Sequence, residues 1–208
     1  MICITVSTNY DDLLDVIMPQ NQRFFTKWYI VTDAQDKKTL DVIDKHNKGC
    51  VTVLLYDFKT HGRVFDKGGA IRYAQERMMA DRKDAGHTDV LLLDSDIYLP
   101  DNFSTLIGKI TVKPDTLYGC KRLDYYSHDA FLRDVPDHIY KPIFVGYFQL
   151  YKASDKYMYQ CSTDASCCDE RFTHLFSCRR IVIPNLTVKH LGRACVNWTG
   201  RKQIDYQR

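Results

Sequence analysis

Four short aliphatic runs mark the first hundred residues: ICITV (2–6), WYIVT (28–32), VTVLLY (51–56) and DVLLL (89–93). None alternates strictly between apolar and polar positions, so each reads as a strand covered on both faces. The segments between them have helical period and end signals. Residues 36–47 carry Leu40 and Ile43 and close towards Gly49, and residues 67–83 carry Ile71, Ala74 and Met78 with Gly86 beyond. Strand and helix in alternation predict an α/β fold, a doubly wound and mostly parallel central sheet flanked by helices. In such sheets ligands bind at the carboxyl ends of the strands. That rule puts Asp33, which follows WYIVT, and Asp94 and Asp96, which follow DVLLL, on one rim.

The second half is less regular. YGCKRLDYYSHDAF (118–131) is polar and aromatic, FVGYFQLY (144–151) and IVIPNLTV (181–188) predict further strands, and residues 169–177 predict a short helix. No internal repeat, low-complexity tract or linker divides the chain. The expectation is a single domain over 1–208, with a nucleotide-binding half over about 1–100 and a sugar and acceptor half over about 101–208. The chain can also be one module of a longer polypeptide.

Composition narrows this picture. At 208 residues, 45% hydrophobic and 26% charged, the chain can bury a proper core without staples. No stretch reaches membrane-spanning length, which argues against a transmembrane segment. MICITVSTNY has no basic start or cleavage site and already reads as a strand. The eight cysteines are therefore expected as reduced thiols and the location as cytoplasmic; by the same reasoning the sequons at Asn102, Asn185 and Asn197 are expected to be unused. A net charge of +3 without a basic block argues against nucleic acid as a partner.

Acidic residues are 24 Asp against two Glu, Glu76 and Glu170. With so many aspartates, about three D-x-D triplets arise by chance, so Asp94-Ser95-Asp96 gains meaning only from its place at a strand end. Side chains at i and i+2 point the same way there, and two hard oxygens suit Mn²⁺ or Mg²⁺ carrying a substrate phosphate. The bland alternative is a solvated turn in which Asp101 caps the next helix.

Three further segments carry chemistry. FDKGGAIRYAQERM (65–78) opens a helix with two glycines, where Gly68 and its neighbour can bring backbone N–H groups to an anion, helped by Lys67 and Arg72; the alternative is close packing on the sheet. TVKHLGRACVNWTGR (187–201) offers His190 as a nitrogen ligand to the same ion, with Arg193, Arg201 and Lys202 to neutralise phosphates. CSTDASCCDERFTHLF (161–176) offers Asp169 or Glu170 as a general base, against a plain acidic helix start. Zinc on Cys161, Cys167, Cys168, Cys178 and His174 is disfavoured without a CxxC pair. Tyr125, Tyr126, Tyr147, Phe148 and Trp198 are either core or a platform for a sugar.

Taken in order, ICITVSTNY, VTD ending at Asp33, KGGA, LLLDSD, VGYFQLY, CCDERF and VKHLG resemble the GT-A glycosyltransferases, nucleotide-sugar enzymes with a D-x-D metal motif. The match spans nearly the whole chain. The resemblance implies a UDP-sugar donor and a glycan or glycoprotein acceptor. It puts Thr5, Ser7 and Asp33 near the uridine, Lys67 and Gly68 near the nucleotide, and Asp94 and Ser95 near the ribose. It puts Asp94, Asp96 and His190 on Mn²⁺ or Mg²⁺, and Gly146, Tyr147, Gln149 and Trp198 at the sugar and acceptor. Asp169 and Glu170 stand where inverting members carry a Glu-Asp pair, here in reversed order, which leaves the base and the stereochemical outcome open. In size and thiol content the chain also resembles capsid-glycan transferases of large DNA viruses such as chloroviruses, for which the location would be host cytoplasm.

Two rivals remain. A haloacid-dehalogenase-type phosphatase also sets D-x-D at a strand end, but needs it after the first strand and a Thr or Val two residues beyond; Asp96 is followed by Ile97-Tyr98. A nucleotide- or sugar-binding module would keep the fold without turnover.

Overall fold

The computed structural model describes residues 1–81, 88–141, 144–176, 179–193, 197–202 and 206. The four N-terminal runs are strands, β1 (Ile2–Val6), β2 (Lys27–Thr32), β3 (Val51–Leu55) and β4 (Asp89–Leu93), all mutually parallel in the order β3-β2-β1-β4. Connecting them are α1 (Asp11–Asn21), α2 (Lys37–His46) and α3 (Lys67–Ala80). Burial on both faces is visible residue by residue. Trp28 and Ile30 pack with α1 and α2 on one side, while Tyr29 and Val31 pack with Ala70, Ile71, Ala74 and Met78 of α3 on the other.

The remainder extends the same sheet in mixed fashion. After β5 (Ile97–Tyr98) and α4 (Phe103–Ile107) come β6 (Leu117–Tyr125), α5 (His128–Leu132), β7 (His138–Tyr140), β8 (Phe148–Lys152), α6 (Cys168–His174) and β9 (Arg180–Leu191). The order continues from β4 as β8-β6-β9-β5, with β7 on β6. Strand β8 is antiparallel to both β4 and β6, β9 is parallel to β6, and β5 is antiparallel to β9. The result is an α/β domain with a Rossmann-like central sheet between helices. No helix among the described residues is long and apolar enough to cross a membrane.

Several expectations are corrected. Helix α4 begins at Phe103 without a side-chain cap, and Asp101 instead accepts hydrogen bonds from Gln20 Nε2 at 2.9 Å and Arg23 Nη2 at 2.5 Å. The strand expected from residue 144 starts at Phe148, because the chain before it turns past Gly146 into the rim. The segment 118–131 is not irregular: most of it is the long interior strand β6. Helix α1 had no sequence signal strong enough to count, since Pro19 lies inside it and Tyr10 provides no side-chain cap. Lys83 and Gly86 lie outside the described residues.

Candidate functional site

The carboxyl ends of β1 and β4 open into a cleft of about 560 Å³, closed on its far side by α6 and the segment 197–201. Asp94 and Asp96 sit in the turn between β4 and β5, where Ile97 N–H donates to Asp94 C=O at 3.3 Å. Pairing of β5 with β9 sets Ile97 opposite His190, and Leu191 N–H donates to Asp96 C=O at 2.9 Å. Pairing of β6 with β9 sets Asp124 opposite the same His190. The sheet register thus holds the imidazole between two carboxylates, with Nε2 3.4 Å from Asp96 Oδ2 and Nδ1 3.2 Å from Asp124 Oδ1.

The charges of this group are mutually dependent. Burial would lower the His190 pKa, yet the neighbouring carboxylates of Asp96 and Asp124 raise it to about 9. Burial would raise Asp96, but the imidazolium holds it below the usual carboxylate value. Burial does raise Asp94, opposed by Lys67 and reinforced by Asp96 and Asp169. Lys67 reaches both arms of the cleft: its Nζ is 2.8 Å from Asp94 Oδ1 and 3.3 Å from Asp169 Oδ2. Burial would pull its pKa down, but Asp169 and Asp94 push it well above the ordinary lysine value.

The donor set suits a hard divalent cation held partly by substrate. Among the described residues no three His, Cys, Asp or Glu side chains form a ready-made cage. Asp96 Oδ1, however, is buried without a hydrogen-bond partner among the described residues, beside a histidine nitrogen and within Coulomb reach of Asp94. An orphaned buried carboxylate oxygen is costly unless a ligand satisfies it. Mg²⁺ and Mn²⁺ commonly take a few protein donors and complete their shell with water and phosphate oxygens, which this arrangement allows.

The opposite arm of the cleft is built around Asp169 at the start of α6. Gly146 lies directly beneath it, and a Cβ there would collide with the Asp169 carboxylate. The Tyr159 hydroxyl stands 3.0 Å from Asp169 Oδ1. Gln149, fully buried, uses its amide nitrogen on Phe144 C=O (3.0 Å) and Thr173 Oγ1 (3.1 Å), so it braces α6 from behind rather than facing the cleft. Glu170 lines the cleft and is exposed.

Of the residues expected at the site, Lys67, Asp94, Ser95, Asp96, Gly146, Tyr147, Asp169, Glu170, His190 and Trp198 all line this one cleft. Others are placed elsewhere. Thr5 is buried and accepts from Trp28 Nε1 at 2.9 Å, and Ser7 is buried behind Thr8, which does line the cleft. Asp33 closes its own turn through Gln35 N–H at 2.8 Å, in a separate depression beside Leu55 and Tyr56. The glycine amides of α3 are occupied within the chain, Gly68 by Ser162 Oγ at 3.2 Å and Gly69 by the capping Asp66 at 2.8 Å, so the packed helix start is what the structure contains. Arg72 pairs with Glu76 at 2.9 Å on the exposed face of α3. Arg193 lines the cleft; Arg201 does too, but buried, bound to Asp12 and lying 4.8 Å over the Tyr10 ring. Residues at or beside the site that were not anticipated include Thr8, Tyr10, Arg122, Asp124, Tyr140 and Tyr159. For Arg122 and Asp124 a signal existed, two opposite charges at i and i+2 in a run otherwise rich in aromatic and apolar residues.

No family model and no curated protein sequence matches the chain. Its fold is shared with solved structures. One is 4-diphosphocytidyl-2C-methyl-D-erythritol synthase from Anaerococcus prevotii DSM 20548, at 10% identity and a TM-score of 0.52 over 97% of this chain and 91% of the other. Another is glucosyl-3-phosphoglycerate synthase from Mycobacterium tuberculosis in complex with phosphoglyceric acid, at 12% identity and a TM-score of 0.51 over 92% of this chain and 72% of the other. At these identities the likeness is one of fold, and the class it defines is the GT-A-like, Rossmann-type α/β fold.

Proposed function

We propose that the chain is a metal-dependent glycosyltransferase that moves a sugar from a UDP-sugar to a hydroxyl of a glycan or glycoprotein. The observation that carries this reading is the partnerless, buried Asp96 Oδ1 beside His190, in the same cleft where Lys67 joins Asp94 to Asp169. Two neighbours of the same fold support it by name, since one makes a glucosyl product and the other a diphosphocytidyl product.

Asp96 and His190 would hold Mn²⁺ or Mg²⁺, with Asp94 beside them. When bound, such a cation supplies positive charge to the diphosphate of the departing UDP. Lys67 holds a second positive charge between the phosphate and sugar arms, kept protonated by its two carboxylates. Tyr10 and Thr8, at the carboxyl end of β1, flank the nucleotide side. Trp198, half exposed, offers a flat apolar face to a sugar ring. If the reaction inverts, Asp169 or Glu170 takes the proton of the acceptor hydroxyl; if it retains, Asp169 positions hydroxyls of the donor sugar.

Calorimetry with UDP, with and without Mn²⁺, tests the first half of the proposal, and UDP release across a panel of UDP-sugars tests the second. The expected result is UDP binding that depends on the metal, followed by release with one sugar. UDP affinity indifferent to Mn²⁺ would overturn the reading. Metal-dependent binding without release from any sugar would leave a binding module in its place, and phosphate release from simple monoesters would point to the phosphatase.

A further inference from the structure

We infer that Asp124 is a positioning residue for the cation site: from the interior of β6 it holds the Nδ1 edge of His190, so that Nε2 is the edge turned to Asp96 and the metal. This rests on the reading of the cleft as a cation site.

Three observations carry it. The parallel register of β6 and β9 sets Asp124 directly opposite His190, which makes the contact a product of the sheet rather than of a mobile loop. The imidazole has one close carboxylate at each nitrogen, Asp124 Oδ1 at 3.2 Å from Nδ1 and Asp96 Oδ2 at 3.4 Å from Nε2, and all three side chains are nearly or fully enclosed. Asp124 is itself anchored from behind. Arg122 Nε lies 2.8 Å from its Oδ1, and the guanidinium is held between the rings of Tyr140 and Tyr147 at 4.3 and 4.8 Å. His138 Nδ1, on the neighbouring strand, adds a further contact at 3.6 Å to Oδ2.

A buried ion cluster gives little net stability over an apolar core of the same volume, so stability alone does not account for it. Nor are its contacts optimised as hydrogen bonds: Asp96 Oδ1, Asp124 Oδ1, His190 Nδ1 and Arg122 Nε all lack a well-aligned partner. An outer carboxylate on the far nitrogen of a metal-bound histidine explains both facts, because it fixes the tautomer and the ring plane and strengthens the ligand. Asp124 touches neither substrate nor metal. Its work is done through His190.

The test is Asp124→Asn, which keeps the volume and removes the charge. Free Mn²⁺ is followed by electron paramagnetic resonance in the presence of UDP, with no sugar and no turnover. A Mn²⁺ affinity about 10- to 100-fold weaker is expected, with metal-free melting lowered because Arg122 and the protonated His190 lose a buried partner, so affinity is read on the folded protein. In a His190→Ala background the same change should cost nothing further. Parent-like Mn²⁺ affinity in a folded Asp124→Asn protein would overturn the inference while leaving the cation reading intact. Absence of Mn²⁺ binding by the parent chain would overturn both. Should the variant fail to fold, ¹⁵N spectra of the parent chain with Mg²⁺ and UDP decide: a neutral His190 ring with its proton on Nδ1 supports the inference, and a proton on Nε2 overturns it.

Discussion

Two buried aspartates at the same end of the sheet have opposite surroundings. Asp66 caps α3 with every oxygen used: Oδ1 accepts from Gly69 N–H at 2.8 Å and Ser162 N–H at 2.7 Å, and Oδ2 from the Tyr56 hydroxyl at 2.9 Å and from Arg63. Asp96 has one oxygen near His190 and the other with no hydrogen-bond partner among the described residues. Both carboxylates are held below their usual pKa, Asp66 by the Ser162 and Gly69 amides against the cost of burial, Asp96 by His190 against the same cost. A satisfied buried charge ties the chain together, here the α3 start to the loop at 162. An unsatisfied one is held in place by the fold around it and leaves an oxygen free to take a ligand, as the proposed cation site requires.

The contrast is broken or confirmed most sharply by exchanging the effects of mutation. Asp96→Ala should abolish metal-dependent UDP binding, measured by calorimetry, while the metal-free protein still folds: one of the two oxygens removed has no partner among the described residues, and only the pairing of the other with His190 is lost from the metal-free chain. Loss of the fold would mean that Asp96 is as structural as Asp66. Asp66→Ala should do the reverse. It strands two backbone amides and the Arg63 charge and removes a helix cap, a cost of about 3 kcal/mol and a melting temperature lower by roughly 6 to 12 °C in a domain of this size. Mn²⁺ and UDP affinities of the folded fraction should stay at parent values.

The unequal legibility of these two sites in the sequence has a physical cause. The strand-end pair and His190 were visible, because both depend on strand runs and on the rule that ligands gather at strand ends, whereas the capping role of Asp66 was not read and the cap expected at Asp101 is absent. The first four strands were visible for a related reason, since burial on both faces leaves an uninterrupted apolar run. Strand β6 was not. Its interior positions include Arg122 and Asp124, so the run looks like a polar loop until their surroundings are known: the two pair with each other, and the histidine that faces Asp124 lies on β9, far along the chain. Gly68 marks a different limit. A glycine at a helix start frees a backbone amide equally well for an anion or for a hydroxyl, and only the fold brings Ser162 to it.

Acidity and alkalinity should separate the two aspartates as well. Asp66 has a folded pKa below the ordinary 3.8, so its contribution to stability is present above that value and is lost as pH falls through the lower, folded one. His190 works in the other direction. Its folded value of about 9 lies above the ordinary 6.5, so its pairing with Asp96 and Asp124 stabilises the metal-free chain fully below pH 6.5, and the benefit disappears as pH rises through about 9. Chemical denaturation of the metal-free protein across that alkaline window should show a decline that is missing in His190→Gln. A decline of equal size in both proteins would remove His190 as its source.

The smallest expected effect lies at the outer edge of the charged cluster. Tyr140, partly exposed on β7, lies 4.3 Å from the Arg122 guanidinium, and Tyr147 covers the other side at 4.8 Å while lying fully inside. Removing the outer ring by Tyr140→Leu keeps an apolar cover but deletes the attraction of the cation to the ring face, about 0.5 to 1 kcal/mol at such a site. Arg122 then loses one of its two walls, yet keeps its ionic contact with Asp124 at 2.8 Å, which the exchange does not touch. Denaturant midpoints should therefore shift only slightly, and Mn²⁺ affinity by less than about threefold, since 0.6 kcal/mol corresponds to that ratio and little of the loss passes through two further residues to the ligand. A drop in Mn²⁺ affinity as large as that of Asp124→Asn would mean that the aromatic walls, and not the carboxylate, fix the histidine.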